Sequence, residues 1–126
     1  MPEILHSTSA PAAIGPYSQA VSAGGFLFCA GQTPLDPATM TLVQGDVGVQ
    51  AAQVLKNLHA VLHAAGCTWK DVVKTTIFLR TMNDFAKVNE VYAATLGESR
   101  PARSTVAVAG LPKDAQVEIE LIAKLP

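Results

Sequence analysis

The sequence predicts an α+β protein, one sheet with both helices on a single face. Three observations lead there. Two stretches, 46–66 and 83–97, repeat apolar residues at helical spacing, while the remaining patterned segments alternate with the period of a strand. The resulting order is strand, strand, helix, strand, helix, strand, strand, and helices interrupting strands in this way form one layer on a sheet. The chain has 126 residues, 49% of them hydrophobic, and shows no linker, internal repeat or low-complexity tract, so residues 1–126 form one domain.

The elements follow in order. "STSAPAAIGPYSQAV" is broken by Pro11, Gly15 and Pro16, which makes the opening segment a loop before the first strand. "QAVSAGGFLFCAG" is a hairpin turning at Gly24-Gly25, the residue pair that two-residue turns favour. Pro34 and Pro37 keep "QTPLDPATMTLVQG" a loop. From Asp46, the residues Val47, Ala51, Val54, Leu55, Leu58, Val61, Leu62 and Ala65 share one helix face, and Gly66 is the left-handed stop. "DVVKTTIFLR" (71–80) is a strand. "NDFAKVNEVYAATLG" is the second helix, with Phe85, Val88, Tyr92 and Leu96 inward. "ARSTVAVAG" and "QVEIELIAKL" are the last strands, expected to pair across a turn at Pro112, Lys113 and Asp114.

Composition narrows the function classes. Nine basic residues face ten acidic ones and lie singly along the chain, so the basic stripe of a nucleic-acid binder is missing and nucleic acid is an unlikely partner. No apolar run is long enough to cross a bilayer, and the start lacks the pattern of a secretory signal. A cytoplasmic protein with Cys29 and Cys67 reduced is the expectation.

Strand alternation sets out the candidate chemistry. In the last strand, Val117, Ile119 and Leu121 belong beneath the helices, leaving Glu118 and Glu120 on the opposite face. In the preceding strand, Val106 and Val108 suit the helix side, which would put Arg103, Thr105, Ala107 and Ala109 on the open face beside a glutamate. A surface ion pair there is worth less than about 1 kcal/mol. The alanines, however, are poor choices for an exposed strand surface and suggest that another subunit comes close. Asn89 is an amide on the apolar helix stripe, where a core-edge residue bonded to a loop is the plain alternative. Tyr17 suits either a cleft wall or an aromatic lid on the core. His59 and His63, four residues apart, lack the glutamate of the zinc-protease motif, and no phosphate loop occurs, so neither metal nor organic cofactor is expected.

Six segments then carry a resemblance: "APAAIGPYSQAV", "CAGQTPLDP", "VVKTTIFL", "MNDFAKVNEVYA", "RPARSTVAV" and "LPKDAQVEIELIA". In this order they resemble the successive motifs of the RidA/YjgF/UK114 family across nearly the whole chain. The resemblance implies a chorismate-mutase-like fold and a homotrimer whose open sheet faces form a central barrel with three clefts between subunits. It implies hydrolysis of 2-imino acids and their enamine tautomers to 2-keto acids and ammonia. By position it assigns carboxylate binding to Arg103, a cleft aromatic to Tyr17, the helix asparagine to Asn89, water positioning to Glu118, and cleft backbone to Ala30 and Gly31. Many bacterial members have Cys where this chain has Thr105 and Ser where it has Ala30. A reactive thiol at 105 is therefore absent, and a role there would pass through the backbone.

The chemistry agrees with the residue types. A guanidinium offers two parallel donors to a carboxylate, which lysine does not copy. Holding that carboxylate fixes the adjacent C=N carbon beside a water. The rival expectations are a specialised deaminase, for example of the 2-aminomuconate type, and a non-catalytic trimer that binds keto acids.

Overall fold

The computed structural model describes residues 2–126. A six-stranded sheet carries two helices on one face. The strands are β1 (Glu3–Leu5), β2 (Ala20–Ala23), β3 (Phe26–Gln32), β4 (Val72–Leu79), β5 (Ala102–Ala107) and β6 (Val117–Lys124). The helices are α1 (Val47–Ala64) and α2 (Phe85–Leu96). The sheet order is β1-β2-β3-β6-β4-β5.

The core lies between sheet and helices. The predicted stripe of α1 from Val47 through Leu62 is buried against Leu27, Ile77, Leu79, Val117, Ile119 and Leu121. Asp46 caps α1 by accepting the Val49 backbone N–H at 3.0 Å, and Gly66 ends the segment at φ +75°. Gly24 and Gly25 both hold positive φ, as the expected two-residue hairpin turn requires. Cys29 and Cys67 are buried free thiols, and burial, helped by Cys67, pushes Cys29 up to about 12.

Three expectations are corrected. The opening segment is not all loop: Glu3–Leu5 pairs with β2, a strand too short for its period to register in the sequence. The last two strands do not pair, because β6 lies between β3 and β4 while β5 joins the far edge of β4 in parallel. The face of β5 is also reversed. Arg103 lies beside Thr75, and Thr105 beside Ile77, both on the helix side. Neighbours across a sheet share a face, so Arg103 and Thr105 lie toward α2. Val106, expected inside, is instead 43% exposed on the open face. Apolar content failed to set the phase because β5 is an edge strand whose outer face is itself apolar.

The open face carries Phe26, Phe28, Ile122, Phe78 and Val106 among Thr76, Glu118 and Glu120. Phe28 is 42% exposed, and no element among the described residues covers it. At the other end, Gln19 ties the long loop before β2. Its Oε1 accepts the Ser7 backbone N–H at 2.6 Å, and its Nε2 donates to the Ser7 and Pro11 carbonyls. Gln19 is 2% exposed, so these groups have no water to replace it. Gln19→Ala is expected to cost about 1–3 kcal/mol in urea unfolding. A loss below about 0.3 kcal/mol would show that the loop is held by other contacts.

Candidate active site

All the predicted residues except Thr105 fall into two clefts on opposite faces of the sheet. The first is built by β5 and α2. Phe85, Asn89 and Tyr92 lie at helical spacing on one side of α2, facing the start of β5. Arg103 Nη1 donates to Asn89 Oδ1 at 2.7 Å. The guanidinium carbon stands 4.9 Å from the Tyr92 ring centroid and 5.6 Å from that of Phe85. Tyr92 is fixed in turn, its hydroxyl bonded to Thr75 Oγ1 at 2.9 Å. Among the described residues, no carboxylate lies within ion-pair distance of Arg103. The surface ion pair with a glutamate is thereby excluded within one chain, and Asn89 bonds the arginine rather than a loop. Thr105 Oγ1, two residues along the same face, is buried and has no hydrogen-bond partner among the described residues. A cleft of about 500 Å³ opens over Asn89, Tyr92, Ser99 and Arg103.

The second cleft, about 600 Å³, lies where the long loops meet the ends of β3 and β6. Tyr17, Ala30, Gly31 and Glu118 line it, together with Ile14 and Met40. Tyr17 is 56% exposed, so it stands at the cleft wall and is no lid on the core. Ala30 donates its backbone N–H to the Gln19 carbonyl at 2.9 Å, at the bulge that interrupts β3 pairing before Gln32. An added Cβ at Gly31 would come within 2.9 Å of Glu118 Cδ, so any side chain there would push the carboxyl group aside. Glu118 is half-buried, and that burial raises its carboxyl above the ordinary carboxylate value, with Glu120 adding to the rise.

A larger cleft of about 800 Å³, along Trp69, Lys70 and Arg100, contains none of the predicted residues. His59 and His63 lie exposed on α1, ring centroids 6.4 Å apart. Among the described residues, no group of three or more His, Cys, Asp or Glu is placed to hold a metal ion. Sequence reasoning missed the part of Tyr92 and Phe85 beneath the guanidinium. The signal was present, an asparagine flanked on one helix face by aromatics at i−4 and i+3.

Fold and clefts together define a small α+β protein with one cationic, aromatic cleft and one acidic cleft. The Endoribonuclease L-PSP family model matches residues 7–125. The chain belongs to this family, the one its RidA-like motifs pointed to. It is 56% identical over 123 residues to a RutC family protein of Pyrococcus horikoshii, covering 98% of each chain. It is 50% identical over 121 residues to the mouse 2-iminobutanoate/2-iminopropanoate deaminase, covering 96% of this chain and 90% of that one. The crystal structure of E. coli TdcF with bound serine superposes with a TM-score of 0.93 at 43% identity, covering 98% and 99% of the two chains. No helix among the described residues is long and apolar enough to cross a membrane.

The raised carboxyl of Glu118 has a consequence for stability. It holds its proton more tightly folded than unfolded, so its favourable contribution is complete below the unfolded value and is lost as pH rises through the folded one. Glu118→Gln removes that loss. Its stability relative to wild type should therefore increase as pH rises through the carboxylate range and then level off, read by urea unfolding at a series of pH values. A difference independent of pH would mean that Glu118 titrates normally.

Proposed function

We propose that this chain hydrolyses 2-imino acids to 2-keto acids and ammonia, in sites completed between copies of a homotrimer. The observation that carries the reading is Arg103. In a chain of this family, a half-buried guanidinium lies on Tyr92 and is held by Asn89, with no carboxylate among the described residues of its own chain to neutralise it. A guanidinium fixed in this way is an anion site. Family relatives include 2-iminobutanoate/2-iminopropanoate deaminases, and TdcF binds serine, an α-carboxylate ligand. The scattered charge of the chain gives no support to a nucleic-acid substrate despite the name of the family model.

Arg103 binds the substrate carboxylate through its remaining donors. Thr105 serves the same ligand through its backbone, since its hydroxyl is buried away from the cleft. Glu118 of a neighbouring copy, with Tyr17 and the backbone of Ala30 and Gly31, closes the other side. The protonated imine is already electrophilic, so water adds to its carbon as Glu118 removes a proton. The resulting carbinolamine takes that proton on nitrogen, its hydroxyl gives its own proton back to Glu118 as the C–N bond breaks, and the keto acid forms; the departing ammonia takes that proton and leaves as ammonium. A carboxyl raised above its usual range suits both proton transfers, because it is a stronger base when ionised and still returns the proton. The uncovered apolar sheet face supplies the assembly surface.

Sedimentation should give three times the 13.2 kDa chain mass. Imines made in situ by an amino-acid oxidase should release ammonia faster with the protein than without it. Arg103→Ala should lower kcat/KM roughly 30-fold to several-thousand-fold, and Arg103→Lys should remain damaging because the fork is lost. Glu118→Gln should lower kcat more than it raises KM, while Glu120→Gln has the smaller effect. Carboxylate binding without turnover would make the protein a keto-acid binder. Near-normal turnover by Arg103→Ala would end the assignment.

A further inference from the structure

The backbone is strained at three non-glycine positions among the described residues, and two of them border the Glu118 cleft. Met40, at φ 59°, and Lys113, at φ 56°, both line it, and Asp114 at φ 59° follows directly. Left-handed backbone is unfavourable for a side chain with a Cβ, and it is usually given to Gly or Asn. Such outliers gather where a site requires them.

The loop explains why position 40 must be left-handed. Asp36 starts a tight turn, its Oδ1 accepting the Ala38 N–H at 2.8 Å and its carbonyl accepting the Met40 N–H at 2.7 Å. The chain then reverses, with Asp36 N donating to the Thr41 carbonyl at 2.9 Å and Leu35 bridging to Leu42. This geometry asks for glycine, and methionine occupies it at an energetic cost. The backbone draws no benefit from the thioether side chain. The cleft does, because Met40 lines it together with Ile14 and Leu35.

We infer that Met40 is a specificity-determining residue, setting the size limit of a pocket for the apolar side chain of a 2-imino acid. This rests on the imine-hydrolase reading: with the carboxylate on Arg103 and the reacting carbon at Glu118, the substituent on that carbon extends into the cleft that Glu118 shares with Ile14, Leu35 and Met40. Those walls are aliphatic, so the class favoured is the 2-imino acids with an aliphatic side chain. Methionine, unbranched and soft, fits substituents of several shapes.

The test compares kcat/KM for imines made from alanine, 2-aminobutanoate, leucine and phenylalanine, in wild type, Met40→Gly and Met40→Trp. Met40→Gly relieves the strain, so it should fold and melt at or above the wild-type temperature. Its preference for the phenylalanine-derived imine over the alanine-derived one should rise about tenfold or more. Met40→Trp should lower turnover of the leucine-derived imine about tenfold while sparing that from alanine. Imine turnover with the same preference, within about twofold, in wild type and Met40→Gly overturns this inference alone. Failure of wild type to hydrolyse any of the imines overturns the imine reading and this inference with it.

Discussion

A strand side chain reaches only one face of its sheet, and the chemistry of this chain depends on that constraint. Arg103 lies on the helix side of β5 and Glu118 on the open side of β6, with β4 between them. No rotamer brings the two together within one copy. A site that uses both groups has to join the Arg103 edge of one copy to the Glu118 cleft of another. The uncovered Phe28 and Val106 mark the surface available for that association.

Each half is prepared by its own surroundings. Arg103 is placed by α2, which supplies a ring below the guanidinium and an amide that uses one donor, leaving the rest of the fork free. The Thr75–Tyr92 hydrogen bond ties that helix face to the sheet, so the arginine is held by buried structure rather than by a loop. Glu118 is prepared in the opposite sense. Partial burial, with Glu120 nearby, makes the carboxylate less comfortable as an anion. In the proposed site, the arginine cleft takes the carboxylate and the Glu118 cleft, whose carboxyl holds its proton more readily than usual, takes the water.

Much of this was legible in the sequence, and the gaps have physical causes. Both helices and the strands from Ala20 onward follow from hydrophobic period and turn residues, which are local signals. Glu3–Leu5 is too short to display a period. The partner of β5 is a long-range choice: the turn at Pro112–Asp114 suggested a hairpin, but the central place beside β4 goes to β6. The faces of β6 were read correctly, since both its neighbours are strands and only its inner side is strongly apolar. Those of β5 were reversed because Val106 looks outward and an arginine lies inward on Tyr92. Arg103 and Glu118 stood out by strand alternation, Asn89 by its place on an apolar helix stripe and Tyr17 by its loop, and the family motifs supplied their roles. Their division between two faces needed the register, and the strain at Met40 needed the backbone.

The most direct test of the divided site is subunit mixing. Arg103→Ala and Glu118→Gln chains, each nearly inactive alone, are unfolded together in equal amounts and refolded. In a ring of three, random assembly pairs an intact arginine half with an intact glutamate half at about a quarter of the interfaces. Imine hydrolysis should return to about a quarter of the wild-type rate. Activity no greater than the sum of the two variants refolded separately would contradict a site shared between copies.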